Sequence, residues 1–303
     1  MSSRPEAGDS AGRKGAEGVV PDPAPGAAAA PSSGAPGRSP GAPGSSSAGG
    51  GSAMLADPFV PRRGKVSIPL PGERAGLSAL PAYLARPPAG VGPWSGVVVL
   101  HEAFGLNGDI RRHADRLAGA GYLAVAPDLL AGGPKAVCLV RTFRDLRAGR
   151  GRSFERLAAT IDWLRAQPGC ASRVGAIGFC LGGGFALLAG VRHDLSATAV
   201  NYGEVPEGPD SALAGVCPVV ASYGAEDRAM RGRAERLEQA LAALDVPHDV
   251  KVYPGAGHGF LNRHDLSPRL RPLEHVAGLG YDEAAAEDAW ARILAFFEVH
   301  LRS

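Results

Sequence analysis

The chain has 303 residues, of which 45% are hydrophobic, and a formal net charge of +2 at pH 7. Its basic residues are interspersed with acidic ones, so it lacks the basic stripe that a nucleic-acid partner would require. No run of about 18 apolar residues is present, which excludes the usual pattern of a membrane-spanning helix.

The sequence predicts a cytoplasmic protein. The N-terminal residues lack the apolar core of a secretory signal. The chain has four cysteines, Cys138, Cys170, Cys180 and Cys217. They form neither a CxxC pair nor a Cys/His zinc pattern, so we expect no metal. A small number of cysteines also suits a reducing compartment better than an oxidising one.

By composition the chain divides at about residue 54. Residues 1–54 consist almost entirely of Ala, Gly, Pro and Ser with a few charges. Such a segment buries too little apolar surface to offset the entropy of ordering. We therefore predict a disordered tail over 1–54 and one folded domain over 55–303. Because the composition changes there, Met54 is also an alternative start of the protein.

Beyond the tail, apolar strand-like runs alternate with segments of helical spacing. The predicted strands cover 66–70, 77–86, 96–100, 123–126, 174–178, 197–202, 219–223 and 250–253. The predicted helices cover 109–120, 153–166, 181–190, 231–243 and 282–300. This alternation predicts an α/β protein with a mostly parallel central sheet and helices on both faces. The first two strands are expected to form a hairpin at one edge.

The segment 178–183, GFCLGG, joins a predicted strand to a predicted helix. A strand, a sharp turn and a helix with a reactive side chain at the tip form a nucleophile elbow. Glycines flank the tip because a Cβ there would clash with the crossing strand and helix. Cys180 stands where serine hydrolases carry Ser, and a thiol is the stronger nucleophile once it ionises.

Two further residues complete a proton relay around this thiol. Asp227 follows the strand 219–223, and His258 lies in a Gly-rich loop after the strand 250–253. A thiol nucleophile needs a base, and the base needs an orienting acid. The chain order nucleophile, acid, histidine is that of the α/β-hydrolase fold. Each residue alone has an ordinary structural explanation, but together at successive strand ends they predict a catalytic triad.

The loop HEAFG over residues 101–105 completes the predicted site. In this fold that loop and the residue after the nucleophile each supply one oxyanion-hole amide, so we predict the backbone N–H groups of Ala103 and Leu181. Glu102 is unusual there, because a nearby carboxylate opposes thiolate formation. We expect it to hold Cys180 as a hydrogen-bonded thiol, protected from oxidation until an anionic substrate displaces it. The alternative is a salt bridge of the loop.

With these motifs the chain resembles the dienelactone hydrolase family of carboxymethylenebutenolidase-like proteins. The matching segments are HEAFGLN (101–107), APDL (126–129), GFCLGG (178–183), YGAED (223–227) and GHGF (257–260). The resemblance extends from about residue 65 to the C-terminus. It implies the α/β-hydrolase fold and a cofactor-independent hydrolase that opens a lactone or cleaves an ester through an acyl-thioester on Cys180. It also implies arginines that bind a substrate carboxylate, for which Arg263 and Arg141 are the candidates.

Two alternative functions stay open at this point. One is a general carboxylesterase of the same superfamily with an unrelated substrate. The other is a catalytically silent α/β-hydrolase scaffold that acts as a binding or regulatory protein, although such a scaffold need not retain a complete triad. The expected partner is a small-molecule ester or lactone, with no nucleic acid and no membrane, and the expected assembly is a monomer or a small homo-oligomer.

Overall fold

The structure is a computed structural model that describes residues 62–70, 72, 77–87, 92–264 and 280–302. Every residue predicted for the site lies within these ranges. The predicted disordered tail over 1–54 and the alternative start at Met54 lie outside the described residues, so both stay predictions.

The described strands form one eight-stranded sheet in the order β1-β2-β4-β3-β5-β6-β7-β8. They are β1 (Arg62–Pro69), β2 (Ala79–Arg86), β3 (Trp94–Leu100), β4 (Leu123–Pro127), β5 (Cys170–Phe179), β6 (Ala197–Asn201), β7 (Val219–Gly224) and β8 (His248–Tyr253). β2 is antiparallel to both β1 and β4, and the pairings from β3 to β8 are parallel. The predicted edge hairpin and the mostly parallel sheet are thus confirmed.

Helices follow most of the strands. They are α1 (Gly108–Gly119), α2 (Lys135–Ala148), α3 (Arg152–Arg165), α4 (Leu181–Arg192), the single turn α5 (Pro209–Ala212), α6 (Arg233–Ala243) and α7 (Glu283–Phe297), which runs into a π-helical turn over Glu298–Arg302. Two of them have polar N-caps, because Asn107 accepts the amide of Ile110 and Asp282 accepts that of Ala285. Within the described ranges, no helix has the length and apolar composition needed to cross a membrane.

Both faces of the central strands are buried. Val97 and Val99 of β3 belong to an apolar core that includes residues of α1 and α7, whereas Val98 and Leu100 belong to a second core that includes residues of α3 and α4. A strand covered on both faces needs a continuous apolar run, which β3 supplies. The sheet order and its two helical layers confirm the predicted fold class, the α/β-hydrolase fold.

The parallel strands bring their C-terminal ends to one edge of the sheet. The loops after β3, β5, β6, β7 and β8 all emerge there. Reactive groups of open parallel sheets gather at this edge. It carries the residues predicted for the triad and for the oxyanion hole.

Candidate active site

Cys180 lies at the junction between β5 and α4. Its backbone has φ 53° and ψ −116°, a conformation that L-residues rarely adopt, and such strain costs about 1–3 kcal/mol. Its amide donates a hydrogen bond of 3.0 Å to the carbonyl of Asn201 at the end of β6. The side chain is half-buried, so the thiol remains accessible at the tip of the turn.

Two glycines allow this turn to close. A Cβ added to Gly178 would overlap the carbonyl oxygen of Gly182, and a Cβ added to Gly182 would overlap the carbonyl oxygen of Leu100. Both obstacles are backbone atoms, which cannot rotate away as a side chain can. The predicted reason for these glycines is therefore confirmed, and the first turn of α4 lies directly against the end of β3.

Asp227 and His258 meet at the ends of β7 and β8. Nδ1–H of His258 donates to Oδ2 of Asp227 at 2.6 Å. Oδ1 of the same carboxylate accepts the backbone amides of Ala229 and Met230 at 3.0 and 3.2 Å. The carboxylate is almost fully buried and held on both oxygens, so it fixes the imidazole in the orientation that leaves Nε2 for another partner.

The electrostatics around His258 favour a protonated imidazole. Burial lowers the pKa of the ring, but hydrogen bonds to Asp227 and Cys180, together with the negative charges of both, outweigh burial and raise the pKa to about 10. The contribution of Cys180 to this shift places its thiol near the imidazole. The structure thus brings together all three residues of the predicted triad.

Tyr202, which no sequence pattern marked, packs against His258. The two rings meet edge-on with centroids 5.1 Å apart. Tyr202 is fully buried and has φ 41°, which is uncommon for a bulky residue. Burial, and then the charges of Glu102 and Cys180, raise the pKa of Tyr202 well above its ordinary value of 10. The phenol is therefore a neutral wall that lies close to both the carboxylate and the thiol.

Helix α1 anchors the chain that follows His258. The carboxylate of Asp109 accepts the backbone amides of Arg263 and His264, each at 3.0 Å. Nε2 of His113 lies 2.6 Å from Oδ1 of Asn262, and the His113 ring stacks on Phe179 with centroids 4.2 Å apart. Phe179 immediately precedes the nucleophile, so this one helix positions the chain on both sides of the thiol–imidazole contact.

Glu102 pairs with a histidine that sequence reasoning missed. Nε2 of His264 lies 3.1 Å from Oε1 and 3.3 Å from Oε2 of Glu102. Both side chains are only 2% exposed. A salt bridge was the alternative expectation for Glu102, and this contact is one when the imidazole of His264 is protonated. The expected hydrogen bond from the Cys180 thiol to this carboxylate stays a prediction.

The two amides predicted for the oxyanion hole face the same edge of the sheet. Ala103 lies in the loop directly after β3, and Leu181 is the first residue of α4. The first amides of a helix have no intrahelical acceptor, and the helix dipole makes this end favourable for an anion. Their participation in an oxyanion hole stays a prediction.

A cavity of about 690 Å³ opens beside Cys180. Apolar side chains such as Phe143, Leu188 and Met230 line it. Two arginines also line it: Arg233, whose Nε donates to Glu204 at 2.7 Å, and Arg147, which is exposed on α2. Across the residues that the structure describes, no group of three or more His, Cys, Asp or Glu side chains is arranged to hold a metal ion.

The two arginines predicted to bind a substrate carboxylate lie elsewhere. The guanidinium of Arg263 stands over the ring of Tyr281, 4.8 Å from its centroid. Arg141 is half-buried on α2. Neither is among the residues that line the cavity. Their role stays a prediction, and the cavity favours Arg147 and Arg233 for this task.

Similarity to known proteins agrees with this arrangement. The sequence model described as "Dienelactone hydrolase family" matches residues 80–301. The chain belongs to the dienelactone hydrolase family. It is accordingly a hydrolase acting on ester bonds. The matched range includes the Glu102 loop, the elbow and the pair of Asp227 and His258.

Other members of the dienelactone hydrolase family resemble most of the chain. A carboxymethylenebutenolidase of Rhodococcus opacus is 30% identical over 218 residues, covering 68% of this chain and 81% of that protein. A carboxymethylenebutenolidase-like protein of Salmonella typhimurium is 33% identical over 250 residues, covering 77% of this chain and 86% of that protein. The crystal structure of a dienelactone hydrolase-like protein from Klebsiella pneumoniae has a TM-score of 0.64 and 30% identity, covering 78% of this chain and 98% of that one.

Proposed function

We propose that the chain hydrolyses ester or lactone bonds of small molecules through a triad of Cys180, His258 and Asp227, with an acyl-thioester on Cys180. One observation carries the proposal: a 2.6 Å hydrogen bond from His258 to the buried Asp227 orients an imidazole that lies near the thiol at the tip of the elbow. Membership of a family of ester hydrolases supports the same reading.

The proposed reaction forms a thioester on Cys180 and then hydrolyses it, and His258 moves the protons in both stages. His258 Nε2 takes the thiol proton, and the thiolate attacks the carbonyl carbon, so that a C–S bond forms and the carbonyl π electrons move to oxygen. The amides of Ala103 and Leu181 stabilise this oxyanion. On collapse the ester C–O bond breaks, and the leaving alkoxide takes the proton from His258. Water then attacks the thioester with His258 as base, which releases the carboxylic acid and restores the thiol.

Asp227 acts throughout by orienting and stabilising the imidazolium. Because its two oxygens are held by His258 and by two backbone amides, it needs no rearrangement when the imidazole becomes charged. This is the role of the acid in other nucleophile–histidine–acid triads. In a lactone the leaving oxygen stays attached to the acyl group, so the thioester intermediate carries its own alcohol until water releases it.

Replacement of the nucleophile tests the proposal. We expect Cys180→Ala to lower kcat for p-nitrophenyl acetate and for dienelactone by at least about 10⁴-fold. Cys217→Ala is the matched control, because that thiol is half-buried on the far side of α4 from the elbow, and it should retain activity within about twofold. Mass spectrometry of wild-type protein quenched during turnover should find the acyl group on the peptide that contains Cys180. Full activity of Cys180→Ala would overturn the assignment.

A substrate panel separates lactone hydrolysis from general ester hydrolysis. The same preparation is assayed on a lactone, a neutral ester and a carboxylate-bearing ester of similar size. A higher kcat/KM for the lactone supports a dienelactone hydrolase-like activity. A higher kcat/KM for neutral esters supports the general carboxylesterase, and no turnover of any substrate would support the catalytically silent scaffold.

A further inference from the structure

The loop that carries Glu102 begins against the elbow. Gly182 of α4 packs so closely against the end of β3 that a Cβ there would overlap the carbonyl oxygen of Leu100 and come within 2.8 Å of that of His101. Glu102 is the next residue along the chain. The charges of Glu102 and Cys180 both raise the pKa of the buried Tyr202, so both groups lie near that ring. A thiolate on Cys180 would therefore form in the neighbourhood of the buried Glu102.

An unpaired carboxylate on the buried Glu102 would be unfavourable in two ways. A carboxylate removed from water is strongly unfavourable unless a cation or several donors compensate it. A like charge nearby also disfavours ionisation of the thiol. The structure supplies one histidine against this carboxylate, His264, with Nε2 at 3.1 and 3.3 Å from its two oxygens.

The backbone of His264 is built to aim the imidazole at Glu102. Its φ is 41°, a conformation that a non-glycine residue adopts only where its surroundings hold it. The carboxylate of Asp109 holds it here by accepting the amides of Arg263 and His264. Phe104 covers the imidazole edge-on, with centroids 5.7 Å apart, and helps to exclude water from the pair.

We propose that His264 is a positioning residue: as an imidazolium it holds and neutralises the Glu102 carboxylate, so that Cys180 ionises against His258 without a second, uncompensated negative charge beside it. The inference rests on the proposed function, because it concerns the same thiol. It differs from the sequence-based expectation in which Glu102 holds the thiol itself, since here the carboxylate contacts His264.

Several other ionisable groups face this pair and the thiol. From α1 these are Asp109, which is also bound by Arg112, and His113, which senses the charge of Glu102. The charge of Glu102 also acts to raise the pKa of His101 from the β3 loop and of Tyr202 from the end of β6. His258 and Asp227 face the thiol from the loops after β8 and β7. Each of these groups is unchanged in the variants below, so a shift between variants reports the Glu102–His264 pair.

The test measures the rate of alkylation of Cys180 by iodoacetamide as a function of pH, read by mass spectrometry of the Cys180 peptide. The apparent midpoint belongs to the coupled pair of Cys180 and His258. We expect His264→Gln to raise this midpoint by about one pH unit, because the charge of Glu102 loses its compensation. The double variant Glu102→Gln/His264→Gln should restore the wild-type midpoint. The matched control His248→Gln, which alters a more distant His–Glu pair 3.7 Å apart, should leave it unchanged.

A second variant keeps the inference testable if His264→Gln does not fold. Glu102→Gln alone should move the midpoint by less than about half a pH unit, because the buried imidazole of His264 loses its proton once its carboxylate partner is gone, and neither side chain of the pair is then charged. A downward shift of a full unit or more in Glu102→Gln would show an uncompensated carboxylate and would overturn the inference. A folded His264→Gln with the wild-type midpoint would overturn it as well.

Failure of the inference is distinguishable from failure of the proposed function. If Cys180 is alkylated no faster than Cys138 or Cys217 and Cys180→Ala keeps its activity, the triad itself is wrong. If Cys180 is the reactive and required thiol but the pH midpoint of its alkylation is the same in the Glu102 and His264 variants as in wild type, the triad stands and His264 has only a structural role.

Discussion

Arg147 is the residue that we expect to set the charge preference of the cavity. Arg233 is already committed to Glu204 at 2.7 Å, whereas Arg147 presents its guanidinium from the exposed side of α2 at the cavity wall. A charge-assisted hydrogen bond contributes about 1.5–3 kcal/mol. We therefore expect Arg147→Gln to raise KM for a carboxylate-bearing ester by about tenfold, with little change for a neutral ester of the same size.

Arg263→Gln is the matched control for this experiment. Its guanidinium stacks over Tyr281 rather than lining the cavity, so its KM values should stay within about twofold of wild type for both esters. Steady-state kinetics on the ester pair give the answer. A rise in KM for the anionic ester in Arg263→Gln, with Arg147→Gln unaffected, would return the assignment to the residue predicted from the sequence.

The positions of Cys180, Asp227 and His258 could be predicted from sequence because each residue follows a strand within a short local motif. Cys180 is marked by flanking glycines, and Asp227 and His258 by the apolar strands before them. The partner of Glu102 could not be predicted in this way. His264 is 162 positions away, and its contact depends on a positive φ that Asp109 maintains across space.

The junction of β5, α4 and the end of β3 tolerates no side chain at Gly182. A methyl group there would overlap the carbonyl oxygen of Leu100, and strain of this kind belongs among the largest single-residue effects, about 4 kcal/mol or more. We expect Gly182→Ala to lower the free energy of unfolding by this amount or to prevent folding, as measured by urea denaturation.

The control variant lies two residues along the same helix. A Cβ on Gly184 would meet the flexible end of Leu146 at 3.0 Å and the backbone oxygen of Glu204 at an ordinary contact distance of 3.5 Å. Alanine is also the better helix former by up to about 1 kcal/mol. Gly184→Ala should therefore be within about 1 kcal/mol of wild type. Equal stability losses in the two variants would contradict the close approach of α4 to β3.

Most strands and helices were predicted from the sequence, and the one long helix that was missed has a physical reason. A strand buried on both faces is a continuous apolar run, so the positions of β3, β4, β6 and β7 agree with prediction to within two residues. Helix α2 was not predicted. Its exposed surface carries Val137, Val140 and Phe143, which are 54%, 71% and 42% exposed, and apolar residues on the solvent side obscure the helical period.

The stability of the folded chain should decline in mild acid because of its buried neutral histidines. Burial, only partly offset by the hydrogen bond with Asn262, lowers the pKa of His113 to about 4. The unfolded chain, with a histidine pKa near 6.5, therefore binds more protons between these values, and stability is lost as pH falls through this window. His258, whose pKa is raised to about 10, acts in the opposite sense and only above pH 6.5.

We expect the free energy of unfolding to fall by about 2 kcal/mol between pH 6.5 and pH 5 through His113 alone. The check is urea denaturation at both pH values for wild type and for His113→Gln, whose amide can still donate to Asn262. The variant should be less stable at pH 6.5 yet lose less on acidification. Some dependence should persist, because His101 and His193 also have pKa values lowered by burial. Identical pH dependence in both proteins would contradict a neutral, buried His113.

Helix α1 holds both sides of the site in place. Its His113 stacks on Phe179, which precedes Cys180, and contacts Asn262, and its Asp109 accepts the amide of Arg263; both of these residues follow His258. The cavity walls come from other elements, chiefly α2, α4 and the segment 204–207. Substitutions intended to redirect this catalyst to new esters are therefore best confined to the walls from α2 and the segment 204–207, with α1 and the first turn of α4 left unchanged. Substitutions in α1 would instead displace Cys180 and His258 relative to each other, so libraries that include α1 should yield few active clones.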